Sequence, residues 1–206
     1  MATLPKSRFW RRVDTAGAEH AALDDRKGLY ARGSALAASP VPYTCRYDLV
    51  TDEAWSAARV EVSTEGAGWL RTVRLERAAG RWRVTTAEQG DLDGALVAAR
   101  QPRAGLPGME DPTRLGFAID VDLGASPLFN TLPVRRLGLL GAAPGTEHRL
   151  TVAWVLVPSL EVVAAEQTYT VLGEGRVRFR SGSFAADIEV DPDGYVLHYP
   201  GLAESV

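Results

Sequence analysis

The dominant signal along the chain is alternation with a period of two. Phe117, Ile119, Val121 and Leu123 alternate with Ala118, Asp120 and Asp122, and Phe184, Ala186, Ile188 and Val190 alternate with Ser183, Ala185, Asp187 and Glu189. Trp82 and Val84 sit among Arg81, Arg83 and Thr85, and Val177 and Phe179 among Arg176, Arg178 and Arg180. A pleated strand sends successive side chains to opposite faces, so these runs predict half-buried strands. Further strands are predicted over residues 43–50, 57–62, 69–75, 149–157, 160–163, 167–172 and 195–199. Asp191-Pro192-Asp193-Gly194, Gly173-Glu174-Gly175 and Ala79-Gly80 supply the fixed and positive φ angles that tight hairpins need. Short strands joined by such turns predict a mainly β protein built as an antiparallel meander.

One segment breaks the rhythm. From Ser126 to Leu140 the apolar positions lose their alternation, and Asn130 or Thr131 is placed to cap a helix whose first turn tolerates Pro133. Leu132, Arg136 and Leu140, or Pro133 and Leu137, then share a face, which predicts one short helix near 130–140. Before it, residues 98–113 carry Pro102, Gly105, Pro107, Gly108 and Pro112 and read as a long loop.

Composition narrows the function classes. At 206 residues, 46% hydrophobic and 24% charged, residues 1–206 suit one domain. A net charge of −3 argues against a phosphate-neutralising surface, so no nucleic-acid partner is expected. Cys45 is the only cysteine, which rules out an intrachain disulfide and a thiolate cluster; inside an alternating strand it reads as a buried, inert thiol. His20, His148 and His198 lie far apart, so neither a metal site nor a cofactor is expected. Lys6, Arg8, Arg11 and Arg12 precede no apolar run, and the most apolar stretch, 150–165, is interrupted by Pro158 and Glu161. Neither an export signal nor a transmembrane segment is expected, which points to the cytoplasm.

The candidate chemistry gathers around the irregular segment. Asp120 and Asp122 point to one side of their strand, about 7 Å apart by strand rise. They can bind hydroxyls or a cation, serve as an acid and base pair, or pair with Arg135 or Arg136. Those two arginines are consecutive, so on a helix they diverge by about 100°. One is expected to pair with a carboxylate inside the fold, leaving the other free for a phosphate or sulfate. Asn130-Thr131 is either a plain cap or a helix start with free N–H groups for an anion. Glu19-His20 resembles an acid–base pair, but neighbours on a strand face opposite ways. No G-x-S-x-G elbow is present, so catalysis is weakly signalled.

These residues carry a family likeness. Phe117-Ala118-Ile119-Asp120-Val121-Asp122-Leu123, Ser126-Pro127 and Asn130-Thr131-Leu132-Pro133-Val134-Arg135-Arg136-Leu137 resemble the hallmark stretch of the putative glycolipid-binding family. Val152-Ala153-Trp154-Val155, Pro158-Ser159-Leu160-Glu161-Val162, Gln167-Thr168-Tyr169, Phe184-Ala185-Ala186, Val190-Asp191 and Tyr199-Pro200-Gly201-Leu202 follow in the family's order. Phe129 departs from the pattern, replacing a small hydroxylated residue, and the 98–113 loop looks inserted. The resemblance implies a many-stranded sheet curled around one short helix (a spiral β-roll), often as a homodimer. It also implies non-catalytic binding of a glycolipid or similar amphiphile between helix and sheet. Asp120, Asp122, Asn130, Thr131, Arg135, Arg136, Gln167 and Tyr169 would then select the head group. The rival readings are a hydrolase or transferase working through Asp120 and Asp122, and a ligand-free dimeric scaffold.

Overall fold

The computed structural model describes residues 6–206. Fourteen strands form one sheet that does not close. In chain order they are β1 (Lys6–Arg12), β2 (Gly17–Asp24), β3 (Tyr30–Ala37), β4 (Tyr43–Thr51), β5 (Ala57–Gly66), β6 (Trp69–Ala78), β7 (Arg81–Gly90), β8 (Asp120–Leu123), β9 (Glu147–Val155), β10 (Val162–Gly173), β11 (Arg176–Ser181), β12 (Phe184–Val190), β13 (Val196–Tyr199) and β14 (Ala203–Ser205). Their order across the sheet is β7-β6-β5-β4-β3-β2-β1-β14-β13-β12-β11-β10-β9-β8. Two meanders therefore meet side by side at β1 and β14, through Trp10↔Ser205, Arg11↔Glu204 and Arg12↔Ala203. Two short helices lie outside the sheet, α1 (Leu92–Ala98) and α2 (Thr131–Arg136).

Three details differ from the pattern-based expectation. The sheet is not wholly antiparallel, because β8 and β9 run parallel from Asp120↔Val152 to Leu123↔Val155. Parallel neighbours need a crossover, and the helical segment between them supplies it. That segment is not one helix over 130–140. A 3-10 turn (Pro127–Asn130), α2 and a second 3-10 turn (Leu139–Gly141) follow one another, and Gly138 in the left-handed region (φ 62°) ends α2. The strand expected over 117–123 begins only at Asp120, whereas the two expected at 160–163 and 167–172 are one strand, β10.

The sheet curls back on itself. Val121 and Leu123 of β8 and Ala153 and Val155 of β9 share a core with Val60, Val62, Val73 and Leu75 of β5 and β6. The opposite face of the second meander, with Tyr169, Val171, Val177 and Ile188, packs beneath Val134 and Leu139 of the helical segment. The innermost strands are thus covered on both sides, as a spiral requires. Polar ties fix the overlap: Ala57 N–H donates to Ile119 O (3.1 Å), Trp82 Nε1 to Ala118 O (2.9 Å) and Thr64 Oγ1 to Pro158 O (2.8 Å). Leu128, Phe129 and Leu132 are at most 1% exposed inside the roll, each stabilising it by about 1.5–3 kcal/mol.

Candidate functional site

The sequence of α2 decides where its charges go. Consecutive helical residues diverge by about 100°, and here the two arginines take opposite routes. Arg136 turns toward β8 and grips Asp120 with two parallel bonds, Nε to Oδ1 at 2.9 Å and Nη2 to Oδ2 at 2.6 Å. Asp120 is 1% exposed, so this fork satisfies a carboxylate that would be costly to bury alone. Arg135 leaves the helix at the end of the roll. Its guanidinium lies 4.4 Å from the Trp55 ring centre and donates to Asp193 O at 2.7 Å. The turn at Asp193 thus holds it through Nη1.

A second polar run lies beside the ion pair. Asn130 Nδ2 donates to Tyr169 Oη (2.9 Å), Tyr169 Oη to Gln167 Oε1 (3.4 Å), and Gln167 Nε2 to Asp122 Oδ2 (2.6 Å). Asn130, Gln167 and Tyr169 are buried, while Asp122 keeps some exposed surface although protein packs around it. Burial pushes the Asp122 carboxyl up to about 6, and the neighbouring Asp120 charge adds to this. The bond from Gln167 and a backbone N–H from Leu123 oppose it. Thr131 is fully buried and its hydroxyl has no partner, and neither Asn130 nor Thr131 makes a side-chain cap to α2. The expected capping role is thus absent, and Asn130 instead bonds across to the sheet.

Six of the eight residues singled out in the sequence thereby converge on two adjoining networks, Asp120–Arg136 and Asp122–Gln167–Tyr169–Asn130. A third buried network escaped the sequence reading. Glu19 of β2 is 0% exposed, and its Oε1 accepts from Tyr47 Oη (2.5 Å) and Ser126 Oγ (2.7 Å), while Oε2 is buried without a partner. Burial raises this carboxyl to about 7, against the opposing pull of those two donors and of Arg12. His20 faces the other way, toward Ser7 Oγ at 2.9 Å, so the adjacent pair does not cooperate. The usable signal was the run of small residues around it. A Cβ on Gly33 would fall 2.0 Å from the Tyr47 ring, and the ring lies across that gap to reach Glu19. Phe129 completes the packing, edge-on to Tyr47 at 5.2 Å between centroids.

Of these networks, Arg136 also lines a surface cleft. That cleft, about 420 Å³ at the C-terminal end of α2, is walled by Phe117, Ile119, Leu137 and Leu150, with Arg136, Arg149 and Glu166 at its charged side. Phe117 is 89% exposed there. Elsewhere the chemistry is quiet. Cys45 is buried, its thiol pushed up to about 12 by desolvation, with the neighbouring Glu19 charge adding. Among the described residues no group of His, Cys, Asp and Glu could hold a metal ion, and no helix is long and apolar enough to cross a membrane.

Comparison with known proteins bears on this arrangement. The family described as Putative glycolipid-binding matches residues 7–205. The chain is similar to a crystal structure of a DUF1089 family protein from Pseudomonas aeruginosa, with a TM-score of 0.69 and 25% identity over 91% of this chain and 92% of that one. No curated protein matches.

Proposed function

The chain belongs to the Putative glycolipid-binding family, and on that footing we propose that it binds a glycolipid or similar amphiphile, reversibly and without covalent chemistry. The observation that carries this reading is the double role of Arg136. It neutralises buried Asp120 and also borders a cleft whose other walls are Phe117, Ile119, Leu137 and Leu150. A charged group beside an exposed apolar wall is the chemistry that an amphiphile's head and tail require. Each methylene covered at that wall would contribute about 0.8 kcal/mol. Head-group hydroxyls would meet Arg136, His148 and Glu166 at the cleft, with Asp122 and Gln167 bonded to each other behind them. Arg135 and Thr131 drop out of the head-group set, since one is engaged at Trp55 and the other is sealed in the core. The protein would do this in the cytoplasm.

A second reading is a dimeric scaffold without a small ligand. It is favoured by how fully Asp120, Arg136, Gln167 and Tyr169 satisfy one another. Native mass spectrometry of the purified protein, followed by denaturing lipid extraction, separates the two. A stoichiometric amphiphile that Phe117→Asp removes supports binding. An apo dimer with no thermal shift across a glycolipid panel supports the scaffold.

A further inference from the structure

Strand β10 is longer than its partner on one side. It pairs with β9 from Val162 to Thr170, but its pairing with β11 begins only at Gln167. The direction of its free groups follows from the bonds at its start. Val162 N–H donates to Gly108 O (2.8 Å), away from β9, whereas Glu161 O accepts from Leu156 N–H (2.9 Å) on the β9 side. Alternation then sends Val162 C=O and both backbone groups of Ala164 outward. Among the described residues no strand lies beside them, and the edge from Val162 to Glu166 runs about 14 Å.

Gly108 closes the start of this stretch, bridging Glu161, but beyond it the side chains give no protection. Sheets block stray pairing with charges, prolines or bulges, and Val162-Val163-Ala164-Ala165 has none of these. The outermost strand β7, by contrast, carries Arg81, Arg83 and Glu88. The open stretch also forms the floor of a cleft of about 690 Å³, whose far wall is residues 104–111, with Leu106 (78% exposed) and Met109. Glu110, Asp111 and Glu161 stand around it against a single guanidinium, Arg114.

We propose that this edge is a docking site for an extended, basic segment of a partner protein, which adds to β10 as a further strand. Backbone groups of Val162 and Ala164 supply the hydrogen bonds, Leu106 and Met109 cover alternate apolar side chains, and the acidic rim selects lysine or arginine between them. The inference is independent of lipid binding, because the cleft at Phe117 shares no residue with this one.

The test uses the full chain, isotopically labelled, and three capped hexapeptides: alternating lysine and valine, alternating glutamate and valine, and the first peptide N-methylated at every second amide. The lysine peptide should shift the amides of Val163 and Ala164 and of residues 104–111, and slow hydrogen exchange at Ala164. The N-methylated and glutamate peptides should bind at least tenfold more weakly. Glu110→Gln with Glu161→Gln, both at exposed positions, should weaken the lysine peptide at least fivefold. No shift at these amides up to millimolar peptide would overturn the proposal. So would shifts centred on Phe117, self-association through this edge in place of peptide binding, or equal binding of the N-methylated form.

Discussion

Glu19 and Asp120 are equally buried, and the fold treats them in opposite ways. Asp120 receives a guanidinium on both oxygens. Glu19 receives two hydroxyls on one oxygen and nothing on the other. The first solution keeps a charge and neutralises it; the second favours the proton staying on. Both tie the helical segment to the sheet, Asp120 through Arg136 and Glu19 through Ser126. The lesson is that the roll anchors one insert twice, once by a bond between charges and once by a hydroxyl donated to a carboxyl that burial holds toward its neutral form.

The sharpest way to break the contrast is Arg136→Met. It strands Asp120 in the interior and should lower the unfolding free energy by about 3–5 kcal/mol in urea titrations. Adding Asp120→Leu should recover a large part of that loss, because the cost lies in the unpaired charge.

The next effect belongs to Glu19. Its folded pKa of about 7 lies above the ordinary value of 4.5, so between these the native state holds more protons than the unfolded chain. Stability should therefore fall as pH rises from about 4.5 to 7, by about 3 kcal/mol from this group, and then level off. Asp122 contributes in the same direction up to about pH 6. Glu19→Gln should leave only the Asp122 part of that slope and be the more stable protein at pH 8, whereas a variant with an unchanged slope would show that Glu19 is ionised throughout. Smaller again, Tyr169→Phe leaves Asn130 Nδ2 without its acceptor and should cost about 1–3 kcal/mol. Smallest, Arg135→Ala removes the stack on Trp55 and should cost about 1 kcal/mol, with a change in Trp55 fluorescence.

Much of this was legible in the chain. Period-two alternation located β8, β11 and β12, and the irregular stretch after Asp120-Val121-Asp122 located the insert. The spacing of Arg135 and Arg136 on a helix foretold that one would enter the roll and the other would not. Less legible were β2 and β3, where Ala21, Ala31, Gly33 and Ala35 give almost no apolar contrast; their smallness makes room for Tyr47 from the next strand, a fact of packing across the sheet. The parallel β8–β9 pair was hidden because strand direction depends on where the crossover lands. The place where Arg135 lands was hidden for a related reason: its partners, Trp55 and Asp193, lie about 60–80 residues away on either side.

The seam between β1 and β14 has a kinetic consequence. Every other pair of neighbours in the sheet consists of strands consecutive in the chain, so nearly all pairing can form locally and early. Only the seam joins segments almost two hundred residues apart, through three residue pairs. Closing it demands the largest loss of chain entropy for the fewest bonds. Each meander should acquire structure on its own, and zipping β14 onto β1 should be the slow final event. A chain nicked at exposed Leu106 should then reassemble from its two halves.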